Sequence, residues 1–150
     1  MSATNKSADT PRRSTEELLR IETQGRSLTG TLKALSKDLQ PRSFAEELAV
    51  FMECRGLNPA RLAEKALLSR SFVYQLCGGQ RAPGRDIILR LALVLGLSVD
   101  ETQALLRSAQ RGALYPRVRR DAVIVFALSR HMSLHDTDEQ LILAGETPLL

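Results

Sequence analysis

Residues 56–79 read GLNPARLAEKALLSRSFVYQLCGG. Asn58 is a side-chain cap, and Pro59 follows at a first helical position, where its missing N–H costs nothing. Leu62, Ala63 and Ala66 then recur at helical spacing and predict one inward face. Leu67 and Leu68 fall in a tight turn, Ser69 caps a second short helix, and Gly78-Gly79 ends it. At about 100° per residue, Phe72, Val73 and Leu76 project to one side of that second helix. Arg70, Ser71, Tyr74 and Gln75 project to the other. The stretch therefore predicts two short helices about a turn, the second held by an apolar side and leaving a polar side open.

The pattern stays helical on both flanks. Upstream, Phe44, Leu48, Phe51 and Met52 share one face of a helix over 44–55, which Gly56 stops. Downstream, residues 81–84 read as a loop, and a helix beginning at Asp86 runs to Leu95 and stops at Gly96. That helix is apolar on nearly every side, which predicts a central position. Ser98 and Glu101 form a capping box for a helix over 99–110. Leu114-Tyr115-Pro116 is a break. The apolar run 122–128 fits a buried strand or a buried helix, and its all-helical surroundings favour helix. A last helix is expected over 133–144, with Leu134, Leu141 and Ile142 available to pack and Gly145 closing it. At the other end, residues 1–13 are small, polar and charged, and are expected to be disordered. Ser14 and Glu17 suggest a capped helix over 15–22, and Leu28, Leu32, Leu35 and Leu39 suggest an amphipathic helix reaching Pro41. The expected fold is all-α: a helical arm at 14–41, a compact domain of several helices at 42–112, and extra helices at 113–150. The arm can pack on the body or serve as a dimerisation or partner-binding segment.

The chain has 150 residues, enough to bury a core without disulfides or metal. Its two cysteines, Cys54 and Cys77, lie among apolar residues and read as reduced core side chains of a cytoplasmic protein. No segment has the length and apolarity of a membrane span or the core of a signal peptide. The net charge of +4 is unevenly spread. Residues 41–120 carry 13 basic and 7 acidic side chains, whereas residues 121–150 carry 1 and 5. The basic excess thus falls on the segment containing the polar-faced helix, as phosphate binding requires.

The chemistry of that polar face suits a major groove. Arg70 can donate to guanine O6 and N7, Gln75 can pair with adenine N6 and N7, and Ser71 can serve a base or a phosphate. Tyr74 can reach a phosphate or a thymine methyl. Arg61 and Lys65 on the preceding helix, Ser69 at the cap, and Arg81 and Arg85 beyond it are candidate phosphate contacts. Leu57, Leu62-Ala63, Leu68-Ser69, Ser71, Val73 and Leu76, with Gly78-Gly79-Gln80-Arg81-Ala82-Pro83 and Leu91-Ala92 through Leu95-Gly96-Leu97-Ser98, occur in the order seen in one family. In these residues the chain resembles the Cro/phage-repressor-like (XRE) helix-turn-helix family over about residues 48–106. The resemblance implies a sequence-specific DNA-binding regulator, usually dimeric on palindromic sites, with Arg70, Ser71, Tyr74 and Gln75 as base readers. Two positions depart from the pattern: Pro59 stands where the family often has Gln, and Leu67 where it commonly has Gly.

Other chemistries find little support. His131 and His135 have an i, i+4 spacing that can hold a metal, but Ser133 is expected to break the helix between them. Asp136, Asp138 and Glu139 lack the glycine and spacing of a calcium loop. There is no phosphate-cradling glycine loop or nucleophile elbow. The reading is a nucleoid-associated transcriptional regulator with double-stranded DNA as partner, no catalysis, no cofactor and no membrane. A homodimer is expected because a symmetric site needs two reading heads. The 113–150 helices can complete the core, form the dimer interface or hold a ligand or partner. The rival reading is a helix-turn-helix adaptor or antitoxin-like module with weak or no DNA affinity.

Overall fold

A computed structural model describes residues 42–150; the arm and tail expected over 1–41 lie outside the described residues. The described residues form seven helices and no strand. These are α1 (Phe44–Arg55), α2 (Pro59–Ala66), α3 (Arg70–Cys77), α4 (Arg85–Leu95), α5 (Val99–Ser108), α6 (Arg119–Ser129) and α7 (Leu134–Leu143).

Local sequence explains most of the boundaries. Ser43 and Glu46 close a reciprocal capping box on α1, and Ser98 and Glu101 do the same on α5. Asn58, Ser69 and Ser133 cap α2, α3 and α7 through their side-chain oxygens. At the other ends, each helix is closed by a paired reversal, in which two successive N–H groups bond back to carbonyls of the last turn. The left-handed residue is glycine at four of these closures and Leu67, Gln110 or His131 at the other three.

α4 is the hub. Ile88, Leu89, Leu91, Ala92, Leu93 and Leu95 are all buried, and the helix touches α1, α2, α5, α6 and α7. Full burial of each large side chain contributes about 1.5–3 kcal/mol. The apolar run 122–128 is helical and lies within α6. Ile124, Ala127 and Leu128 on α6, with Leu134 and Leu141 on α7, join the same core as α1–α5.

The structure corrects several expectations. Ile142 does not pack; it is 60% exposed, because Leu141 takes the inward direction at that turn. Cys54 is exposed as well, lying outside the buried α1 face of Phe44, Leu48, Phe51 and Met52. Cys77 is half-buried, its Sγ lies 3.8 Å from Met52 Sδ, and burial pushes its thiol pKa up. α4 begins at Arg85 rather than Asp86, and α5 ends at Ser108 rather than Gln110, whose φ of 56° belongs to the closing reversal. His131 occupies the reversal after α6, whereas His135 lies within α7, so the two do not share one helix.

Candidate nucleic-acid interface

α2 and α3 meet at the Leu67-Leu68 turn. Leu62, Ala63 and Ala66 seat α2 on the body, and Val73 and Leu76, both 0% exposed, seat α3. Phe72 is half-buried at the edge of that contact. Leu67 adopts φ 57° and ψ 44°, the left-handed conformation in which an L side chain costs about 1–2 kcal/mol. The turn is held from below. Arg90, on α4, donates from Nη2 to the carbonyls of Ala66 and Leu67 at 2.7 and 2.9 Å. A cation there also complements the negative end of the α2 dipole. Burial lowers the Arg90 pKa, while the carboxylates of Asp138 and Asp86 act in the opposite sense.

Arg70, Ser71 and Tyr74 are exposed on α3, with Tyr74 at 54%, and Gln75 is half-buried. Arg61 and Lys65 are exposed on α2, although Arg61 has Glu64 one turn away at 4.0 Å. The Ser69 hydroxyl accepts the Phe72 N–H at 3.1 Å, and this cap leaves its O–H able to donate to a phosphate. Arg81 folds back towards α3. Its guanidinium carbon lies 5.2 Å from the Phe72 ring centroid, and its Nη1 donates to Gln75 Oε1 at 3.4 Å.

Arg85 is placed differently from the expectation of a phosphate contact. Its Nε donates to Gly112 O at 2.9 Å and its Nη2 to Ala113 O at 2.9 Å. Its two terminal nitrogens also hold both carboxylate oxygens of Asp121, at 3.0 and 2.8 Å. With its donors directed into the protein, Arg85 ties the start of α4 to the chain around α6. Next to it, Asp86 receives both terminal nitrogens of Arg120 at 2.8 and 3.1 Å. The Arg85-Asp86 and Arg120-Asp121 pairs thus cross between two helices.

Two exposed cations of the basic segment also bond to the fold. Arg55 donates to Leu95 O at 2.8 Å, and Arg111 donates to Pro83 O at 2.9 Å. Arg85 and Arg90 carry charge that sequence counting detects but turn donors to the fold, whereas Arg55 and Arg111 stay exposed and commit only part of their guanidinium to it. Sequence reading missed Arg90 and Arg111 because each acts on carbonyls more than twenty residues away. No local periodicity reports such pairing.

An open groove of about 430 Å³ lies beside the end of α3, lined by residues that include Phe44, Leu76, Gly79, Arg81, Pro83 and Ala109. No group of three or more His, Cys, Asp or Glu side chains among the described residues is placed to hold a metal ion. No helix among them is long and apolar enough to cross a membrane.

Comparison with known proteins agrees with this geometry. Residues 43–105 match the family model of a helix-turn-helix domain, a span that begins at the α1 cap and ends within α5. The curated proteins and the solved structures gave no match. With all-helical surroundings, a short α2, a tight turn and a polar-faced α3 inside the matched span, residues 43–105 of this chain are similar to a helix-turn-helix domain.

Proposed function

We propose that this chain is a sequence-specific DNA-binding transcriptional regulator that seats α3 in the major groove and acts as a homodimer in the cytoplasm. The observation that carries the reading is the two-sidedness of α3: Val73 and Leu76 are fully buried while Arg70, Ser71 and Tyr74 are exposed. A helix held in this way presents side chains without spending its anchor on the ligand. Arg70 is assigned to guanine, Gln75 to adenine, and Ser71 and Tyr74 to a flanking base or phosphate. Arg61, Lys65 and Ser69, with the N-terminal amides of the short helices, are assigned to phosphates. A symmetric operator would be bound by two copies, joined through the C-terminal helices, where Ile142 and Leu143 are exposed.

The rival reading, a helix-turn-helix adaptor that binds protein rather than DNA, draws on the same exposed C-terminal residues and on the arginines committed inside the fold. A polarisation titration of the full chain against mixed-sequence duplex DNA, repeated at increasing salt, separates the two. The regulator binds at low salt and loses affinity steeply as salt rises. Absence of binding at low salt selects the adaptor. Light scattering on the same sample reads the oligomeric state.

A further inference from the structure

We propose that Arg81 is a specificity-setting residue that fixes the Gln75 carboxamide, rather than a phosphate anchor; this rests on the reading of α3 as the base-reading helix. The backbone after α3 makes the placement possible. Gly79 has φ 75°, a left-handed conformation that glycine adopts without a side-chain clash. The Gly79 N–H bonds to Leu76 O at 3.2 Å and the Gln80 N–H to Gln75 O at 2.9 Å, which turns the chain back along the last turn of α3. On the far side of the loop, Pro83 is buried and its carbonyl accepts from Arg111. The backbone of Arg81 is therefore held from both ends.

From there its side chain makes two contacts on α3, the Phe72 ring face and Gln75 Oε1. A guanidinium held over an aromatic face by a cation–π contact has less freedom to swing away from its hydrogen-bond partner. A glutamine carboxamide alone can turn its oxygen or its NH2 towards a given base edge. Once the oxygen faces Arg81, one of those two orientations is favoured. Gln75 then offers a single donor–acceptor pattern, with NH2 as donor and the remaining oxygen lone pair as acceptor. A fixed pattern discriminates between bases, whereas a rotating amide accommodates several.

The test is sequencing of DNA selected by the full chain, with affinities measured across a salt series, for the wild type, Arg81→Ala, Arg81→Lys, Gln75→Ala and the double variant R81A/Q75A. Arg81 is exposed, and a thermal melt of each variant checks its fold. The proposal expects Arg81→Ala to relax preference by about fivefold or more at the same base pair that Gln75→Ala relaxes. Arg81→Lys behaves the same way, since an ammonium keeps the charge but not the planar fork. In the Gln75→Ala background, removing Arg81 changes preference no further. The proposal is overturned if Arg81→Ala weakens all sequences equally, lowers the salt slope by about one and is rescued by lysine. Failure of the wild type to bind any DNA would instead overturn the DNA-reading assignment itself, and this proposal with it.

Discussion

Leu67 sits in a backbone region suited to glycine, with 64% of its surface exposed, so its side chain contributes little packing in return for the strain. Relief of about 1–2 kcal/mol of left-handed strain is opposed by the larger unfolded-state entropy of glycine, about 0.5–1 kcal/mol. Leu67→Gly should therefore stabilise the domain by up to about 1.5 kcal/mol, read as a higher urea midpoint at unchanged slope. A fall in the midpoint would mean that the Leu67 side chain has a packing role in the folded state. The reading face supplies a second contrast at this scale. Arg70→Ala should relax preference at one base pair, whereas Lys65→Ala should weaken all sequences alike and reduce the salt slope by about one. Binding to randomised and to selected DNA distinguishes them. These residues were legible in sequence because projection around a helix separates inward from outward, and Val73 and Leu76 are buried as that projection requires. The partners of Gln75 and of the Leu67 carbonyl were not legible. Arg81 reaches Gln75 only through a chain reversal, and Arg90 reaches the turn from another helix.

Helix starts and ends were read about equally well, within one to three residues. The caps read from side-chain chemistry at Asn58, Ser69 and Ser98 are formed, and Ser43 and Ser133 cap α1 and α7 although the sequence reading did not single them out as caps. Closures at glycine are equally visible, but those at Gln110 and His131 are not, since neither residue type announces a left-handed turn. The same limit hid the tie between α4 and α6. The crossed Arg85–Asp121 and Asp86–Arg120 pairs join residues more than thirty positions apart. Removing one partner of a buried pair leaves the other charge uncompensated, at a cost of about 3–5 kcal/mol. Arg85 retains some solvent exposure, so Arg85→Ala should cost about 3 kcal/mol, at the lower end of that range. The measurement is a urea unfolding curve, and a loss below about 0.5 kcal/mol would reduce the pair to a surface contact. The pair also sets an acid response. Burial alone would raise the Asp121 pKa, but hydrogen bonds from Arg85 and the Tyr115 N–H, together with the charges of Arg85 and Arg120, outweigh it and hold the carboxyl below its usual 3.8. A depressed folded-state pKa adds stability above the unfolded value, and that stability is lost as pH falls through the folded one. Asp121→Asn should therefore flatten the fall in stability below about pH 4 while lowering stability at neutral pH.

At the scale of the molecule, the positive segment has two uses. Arg85, Arg90 and Arg120, half-buried, and Arg55 and Arg111, exposed, hold carbonyls or carboxylates of the fold, whereas Arg61 and Lys65 lie exposed on α2. Two to three released counterions per reading head correspond to a log–log salt slope of about −2 to −3, and about −4 to −5 for a dimer. A slope of −6 or steeper per head would require cations beyond Arg61 and Lys65, such as the exposed Arg70, Arg107, Arg117 and Arg119, to reach phosphate. The helices after residue 112 bear on this indirectly, because they share their core with the helix-turn-helix. Leu114, Ile124, Leu128, Leu134, Leu141 and Leu149 are all buried in the cluster that contains α4. At about 1.5–3 kcal/mol each, their burial is comparable in size with the 5–15 kcal/mol that typically separates a folded domain from its unfolded chain. Their removal also uncovers apolar faces of α4 and leaves Arg85 and Asp86 without their partners on α6. The fragment 42–112 should therefore lack a cooperative thermal transition by circular dichroism, whereas 42–150 should unfold in a single step. If the fragment melts cooperatively within about 1 kcal/mol of the longer chain, the C-terminal helices are an appendage rather than part of the core, and the geometry of α3 owes nothing to them.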